Sequence, residues 1–396
     1  MKVGIEAIGV AIPRAYVELT ELAQARGIAP EKFTEGLGTL RMAVPDLDED
    51  TVTLAARAAQ MALEQGNVSA SEIGMLAVGT ETAVDHSKPV ASYVQGLLGV
   101  GARCRVFETK HACYGGTAAL QMALDWIRSG SARGKKALVI CSDIARYGLA
   151  TPGEPTQGAG AVAMVVSDTP HIVELENEPS GVYARDVHDF WRPLYSKDAI
   201  VDGHYSVKCY LETLEGAYRA YRESASGSDS ALFSDRFSAL VYHVPYGKMA
   251  KKAHRHLRTL DGDATPDASF EALAGASLLL PSQIGNTYTA AMYFGLASLL
   301  AARKGEDLKG KRVGLFSYGS GMCGEFFSGV IQRDAQARLA ALDLFGILER
   351  RVRLGIADYE SLMREREAID TRAAGEPTGP GMRFMGVRDH QRIYSR

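Results

Sequence analysis

Lys110-His111-Ala112-Cys113-Tyr114-Gly115-Gly116-Thr117-Ala118-Ala119-Leu120 is the stretch on which this chain turns. Arg105-Val106-Phe107 runs into it with the apolar character of a strand, and the alanine-rich Ala118 to Ile127 leaves it with helical periodicity. Cys113 therefore stands where a strand gives way to the first turn of a helix. Gly115 and Gly116 let the backbone bend tightly there and admit close neighbours. A thiol so placed faces free backbone N–H groups and the positive end of the helix dipole, which favour the thiolate. The same N–H groups can hold an oxyanion after the sulfur attacks a carbonyl. The competing reading is a small buried core cysteine. Glycines and position together make Cys113 the candidate nucleophile.

Working outward, the 396 residues can bury a core of two to three domain-sized units, and the net charge of −3 points to neither nucleic acid nor an anionic membrane. The N-terminal Met1 to Val10 carries Glu6 within a short apolar run and reads as a first strand, not a signal peptide. No apolar stretch approaches the roughly 20 residues of a membrane span. Five cysteines without a C-x-x-C pair suit neither a disulfide framework nor a zinc cage, and fit a reducing cytoplasm.

The rest of the first half alternates apolar strands with amphipathic helices. Leu19 to Ala25 reads as a short helix and Gly27 to Gly38 as a loop carrying Lys32. Asp46-Leu47-Asp48-Glu49-Asp50 reads as capping charge for a helix over Thr51 to Gln65. Strands are expected at Ile73 to Gly79, ending in Thr80-Glu81-Thr82, at Ala137 to Ser142, and at Gly158 to Val166. Such alternation indicates an α/β chain with its sheet covered on both faces.

The second half repeats the plan. Ser238 to Tyr242 is a strand ending in His243, as the Met75 strand ends in Glu81. Gly285-Asn286-Thr287-Tyr288 opens a long helix, and Thr289-Ala290-Ala291 echoes Thr117-Ala118-Ala119, so Asn286 falls within one position of Cys113. Arg312 to Ser317 matches the Ala137 strand. Between the halves, Glu174 to about Ser230 reads as irregular and aromatic-rich, with Gly227-Ser228-Asp229-Ser230 as its flexible loop. Open α/β sheets put chemistry beyond the carboxyl ends of their strands. Two matching halves would gather Glu81, Cys113, His243 and Asn286 around one cleft. Thiol, carboxylate and imidazole together supply nucleophile, base and acid.

Three further patterns stay open on residues alone. Lys248, Lys251 and Lys252 share a helical face, which is either solvated surface or a grip for phosphates. His254 and His256 lack carboxylate or cysteine partners nearby, against a metal site. Gly319-Ser320-Gly321-Met322-Cys323-Gly324 fits G-x-G-x-x-G, but no second strand ending in an acid follows. Asp334 to Arg351 reads as helix instead. A nicotinamide-dependent oxidoreductase is thereby disfavoured against a tight loop lining the cleft.

Val78-Gly79-Thr80-Glu81-Thr82, Ala112-Cys113-Tyr114-Gly115-Gly116-Thr117, Gly153-Glu154-Pro155-Thr156-Gln157-Gly158, Asp189-Phe190-Trp191-Arg192-Pro193, Val201-Asp202-Gly203, His243-Val244-Pro245-Tyr246, Gly285-Asn286-Thr287-Tyr288 and Phe316-Ser317-Tyr318-Gly319-Ser320-Gly321 carry a family likeness. The chain resembles the hydroxymethylglutaryl-CoA synthases, the bacterial mevalonate-pathway form above all, within the thiolase superfamily. The resemblance implies a thiolase-like five-layered αβαβα fold of two pseudo-duplicated halves. These are 1–172 with Glu81 and Cys113, and 173–396 with His243, Asn286 and the insertion around 174–230. It implies a cytoplasmic homodimer that condenses acetyl-CoA with acetoacetyl-CoA and water to 3-hydroxy-3-methylglutaryl-CoA plus CoA, in the mevalonate route to isoprenoids.

By the same resemblance Cys113 is acetylated, and its acyl oxygen is held by backbone N–H groups near Cys113 and Ser320. Glu81 removes the methyl proton, and His243 polarises the acceptor ketone as general acid. Thr156, Ser206, Asn286 and Ser320 match substrate contacts; Ala29, Pro30, Lys32, Lys248 and Lys252 match positions near CoA. No metal or redox cofactor is implied, since the CoA thioesters are substrates. The animal enzymes have an asparagine near Pro152 that this chain lacks. The rival within the family acts on carrier-protein-bound β-ketoacyl chains in polyketide β-branching, and a non-catalytic CoA-binding homologue is the remote one.

Overall fold

The computed structural model describes residues 1–225, 232–376 and 379–396. Its main sheet is built from β1 (Gly4–Ala11), β2 (Ile73–Gly79), β3 (Arg105–Thr109), β4 (Lys136–Ala145), β5 (Gly158–Ser167), β6 (Val173–Leu175), β7 (Gly181–Ala184), β8 (Ala239–Tyr242), β9 (Arg312–Gly319) and β10 (Cys323–Ile331). The strand order is β8-β9-β10-β6-β1-β5-β4-β2-β3, with β7 paired to β10. Away from the antiparallel junction of β1 with β6, both directions repeat one pattern. β5 and then β4 follow antiparallel on one side, with β2 parallel to β4. β10 and then β9 follow antiparallel on the other, with β8 parallel to β9. The two halves of the chain thus share one topology.

Helices fill the faces: α1 (Thr51–Gly66), α2 (Gly115–Arg128), α3 (Gly203–Ser224), α4 (Gly247–Leu260) and α5 (Ala291–Ala302). Along β4, Val139 points into the central core with Leu120 of α2 and Leu296 of α5, while Leu138 points outward to Leu54 and Ala58 of α1. Leu240 and Phe326 face the opposite outer layer, against Leu214 of α3 and Leu257 of α4. Outer helices, sheet half, central helices, sheet half and outer helices make the five αβαβα layers. Strands buried on both faces explain the continuous apolar runs in the sequence. α5 is apolar all round, as a helix buried between two sheets must be. The central helices are also bonded: Thr117 Oγ1 lies 2.8 Å from Tyr293 Oη and 2.7 Å from Ser317 Oγ.

Local expectations need four corrections. The segment read as an irregular insertion at 174–230 contains a long helix, the 22-residue α3, whose N-terminus is capped by the Asp202 side chain accepting from Tyr205 N–H. Tyr210, Leu214, Tyr218 and Tyr221 bury one face of it, a helical spacing disguised by aromatics of high strand propensity. The loop from Gly27 to Gly38 includes a helical turn at Glu31–Thr34. The helix expected from Asp334 to Arg351 is two, Ala335–Ala341 and Leu344–Glu349, broken at Asp343 with φ 50°. Within the acidic cluster only Asp50 caps α1; Asp46 and Asp48 pair with Arg14, and Glu49 with Arg57. Gly227 to Ser230 lies outside the described residues. No helix among the described residues is long and apolar enough to cross a membrane.

Candidate active site

Topology brings the two half-chains' chemistry to one end of the sheet. Glu81 follows β2 and His243 follows β8, its equivalent; Cys113 precedes α2 and Asn286 precedes α5. A close approach of α2 to β2 is required, and glycine permits it: a Cβ on Gly79 would lie 2.3 Å from Gly116 Cα. The turn between β9 and β10 packs on the cysteine turn just as tightly. A Cβ on Gly319 would meet His111 O at 2.5 Å and Tyr114 N at 2.6 Å. Ala112, directly ahead of Cys113, is held at φ 40°, a conformation rare for residues with a side chain.

A cavity of about 320 Å³ opens at this end, lined by Cys113, His243, Asn286, Thr156, Ser206 and Ser320. Glu81 stands behind the sulfur, and the Cys113 thiol donates to its Oε1 at 3.3 Å. Thr156 Oγ1 donates to Gly153 O at 2.7 Å. Asn286 Oδ1 accepts from Tyr288 N–H at 2.9 Å. Ala29, Pro30, Lys32, Lys248 and Lys252 do not line this cavity. They are gathered outside it: Lys248 N–H donates to Leu37 O at 2.8 Å, tying the 29–38 segment to the start of α4. Tyr246 and Met249 from the same part of the chain do line the cavity, so the exposed lysine face flanks its rim.

Electrostatics correct one expectation. The helix N-terminus was expected to favour a Cys113 thiolate, but burial and the charges of Glu81, Asp143 and Asp189 push the thiol well above its ordinary value. The resting sulfur is a thiol. The carboxyl beside it, that of Glu81, is itself raised to about 8 by burial and by Asp143. Burial lowers His243 to about 3, so its imidazole is neutral, with a ring N–H able to donate a hydrogen bond. The ring sits between Tyr210 and Tyr318, each centroid 6.4 Å away, and Tyr210 Oη donates to the His243 carbonyl at 2.8 Å.

Two carboxylates that the sequence reading did not single out organise these groups. Asp143, fully buried just past the end of the expected strand of β4, accepts from Glu81 N–H at 2.9 Å, Thr80 Oγ1 and Thr82 Oγ1 at 2.8 Å each, and Thr289 N–H at 3.1 Å. It ties the Glu81 loop to the turn before α5, across the two halves. Asp189 accepts from Tyr318 Oη at 2.6 Å, Gly321 N–H at 2.9 Å and Ser206 Oγ at 3.1 Å, joining the Ser320 turn to α3. Asp143 carries the same signal as Glu81, an acid at the end of an apolar strand. Asp189 stands in a quoted motif but had been given no role.

The remaining histidines and the glycine-rich motif lie elsewhere. His254 is buried, with Nδ1 3.2 Å from Tyr242 Oη and Nε2 2.9 Å from Ser269 Oγ, while His256 meets Glu215 at 3.2 Å. Gly319 to Gly324 joins two antiparallel strands, so it opens no helix to receive a pyrophosphate.

Comparison with known proteins agrees with this geometry. Family models described as hydroxymethylglutaryl-coenzyme A synthase N terminal and C terminal match residues 1–170 and residues 173–274 and 263–380. The hydroxymethylglutaryl-CoA synthase of Enterococcus faecalis is 39% identical over 94% of this chain and 93% of its own length. The polyketide biosynthesis 3-hydroxy-3-methylglutaryl-ACP synthase PksG of Bacillus subtilis is 34% identical over 91% and 88%. A solved structure, MvaS in complex with 3-hydroxy-3-methylglutaryl coenzyme A, superposes with a TM-score of 0.93 at 49% identity, covering 100% of this chain and 99% of that one.

Proposed function

The chain belongs to the hydroxymethylglutaryl-CoA synthase family, and on that premise we infer that it condenses acetyl-CoA with acetoacetyl-CoA and water, giving 3-hydroxy-3-methylglutaryl-CoA and CoA for the mevalonate route. The observation that carries this is the single cavity holding Cys113, His243 and Asn286, with Glu81 3.3 Å from the sulfur. Glu81 takes the thiol proton as Cys113 attacks acetyl-CoA, the bond to the CoA sulfur breaks, and the proton passes to that sulfur so that CoA leaves as its thiol. The acetyl oxygen rests on the N–H groups of Cys113 and Ser320, which stabilise the enolate formed when Glu81 removes a methyl proton. That carbon adds to the acetoacetyl ketone, whose oxygen is hydrogen-bonded by neutral His243 and by Asn286, and the proton held by Glu81 passes to the new alkoxide, which becomes the 3-hydroxyl and leaves Glu81 a carboxylate again. Water then frees the thioester from Cys113. Thr156 and Ser206 orient the acyl groups, and Lys32, Lys248 and Lys252 at the rim, with Ala29 and Pro30, receive the phosphates and adenine end of CoA. The reaction needs no metal or redox cofactor, and the enzyme works in the cytoplasm as a homodimer.

Intact mass after mixing with acetyl-CoA tests the first half-reaction. One added acetyl group is expected, absent in Cys113→Ala; an unmodified wild type would leave a binding-only role. Glu81→Ala should still acetylate, though more slowly because the thiol has lost its base, and should lose about 10² to 10⁴ in condensation; rapid condensation would remove Glu81 as base. His243→Ala should keep acetylation and lose turnover with acetoacetyl-CoA.

The carrier-protein reading is the second, favoured by the likeness to PksG. Turnover of acetoacetyl-CoA against an acetoacetyl carrier protein separates them. No activity on the CoA ester would overturn the first reading.

A further inference from the structure

Tyr288 has no part in the steps above. Yet it lines the cavity, is 1% exposed, and its hydroxyl, with the Tyr147 hydroxyl beside it, meets no partner at hydrogen-bond geometry among the described residues. A buried phenol oxygen without a partner is uncommon and needs a reason. Its backbone sits at φ 45°, in the left-handed region that bulky residues avoid. The next residue explains what holds it there: Thr289 N–H donates to Asp143, the carboxylate that also accepts from Glu81 N–H. Asp143 thereby anchors both the Glu81 loop and the turn that puts Tyr288 on the cavity wall. Phe190 packs on the rings of both Tyr147 and Tyr288, at centroid distances of 6.2 and 5.8 Å, closing that wall. The Glu81 charge pushes the Tyr288 phenol further upward, beyond the effect of burial and of its phenolic neighbour Tyr147. His243 belongs to the other wall, with Tyr210 and Tyr318.

We propose, resting on the function inferred above, that the Tyr288 hydroxyl binds the water that hydrolyses the condensed acyl-enzyme. A water in a buried site needs at least two polar partners, and here they are the Glu81 carboxylate and the Tyr288 oxygen. Each accepts one water O–H, which leaves a lone pair of the water free to face the acyl carbon. The water oxygen bonds to that carbon, the carbon–sulfur bond breaks, and its electron pair returns to the Cys113 sulfur. Glu81 takes one water proton and passes it to the sulfur, restoring the thiol. The product leaves as a carboxylic acid that ionises in bulk solvent. A separate hydroxyl is required because the acceptor-ketone groups across the cavity are already engaged with the newly formed alcohol.

The test is Tyr288→Phe, mixed rapidly with acetyl-CoA and acetoacetyl-CoA, quenched in acid and read by intact mass. Acetylation should match wild type, and an adduct with the mass of the condensed thioester should then accumulate, its release slowed about tenfold, as expected for one lost hydrogen bond. Removing an unbonded oxygen should leave the melting temperature unchanged or higher; a lower one reveals a structural partner and overturns the assignment. Wild-type turnover in the variant overturns it too, as does a block at acetylation or at condensation. Failure of the wild type itself to acetylate would instead overturn the inferred function.

Discussion

At the scale of single residues, the chemistry depends on a carboxyl kept out of water. Glu81 titrates near 8 in the folded chain, against an ordinary value of 4.5. Between those values the unfolded chain has lost a proton that the folded chain keeps, so stability falls as pH rises through the window. Glu81→Gln should therefore melt higher than wild type at pH 8 and about equally at pH 4. The difference grows by at most about 1.4 kcal/mol per pH unit inside the window. Thermal melts of both proteins across this range check it, and a gap that widens toward acid would show a carboxylate stabilised by its site. The acetylation rate should rise with pH toward the same value, because the base must be ionised to take the thiol proton.

Elements are held in register by buried acceptors. Asp143 gathers the Thr80–Thr82 loop after β2 and the turn before α5, so Asp143→Asn replaces an acceptor-only group by one that must also donate among donors. A loss of about 1–3 kcal/mol is expected from denaturant unfolding, together with slower acetylation because Glu81 loses its anchor. Full acetylation rate in a destabilised variant would separate the two roles. At α3, Asp202→Ala removes the side chain that caps Tyr205 N–H, for about 1 kcal/mol in the same measurement. Activity should fall with it, since Ser206 stands in that first turn and faces the cavity.

Over the whole molecule, charge is arranged by place and not by total. A net charge of −3 coexists with exposed Lys248, Lys251 and Lys252 on α4 beside the cavity rim. Lys248→Ala and Lys252→Ala should each raise KM for the CoA thioesters several-fold at low salt without changing kcat. The effect should shrink at high salt, where exposed charges are screened beyond about 3–8 Å. A salt-independent KM would remove the lysine face from CoA binding. Sedimentation equilibrium tests the homodimer.

The sequence by itself determined the alternation of strands and helices, the likeness of the halves, and the meeting of Glu81, Cys113, His243 and Asn286. These were legible because strand ends and helix starts are local, and duplicated order maps them to one edge of a sheet. α3 was hidden because its buried face is written in tyrosines, whose strand propensity masks a helical spacing that only packing against β10 and β7 reveals. Tertiary structure alone decided that Cys113 rests as a thiol, that His243 is neutral, and that Asp143 and Asp189 knit the site. Each depends on how much water and how many opposing charges surround a group, and those surroundings come from segments far apart in the chain.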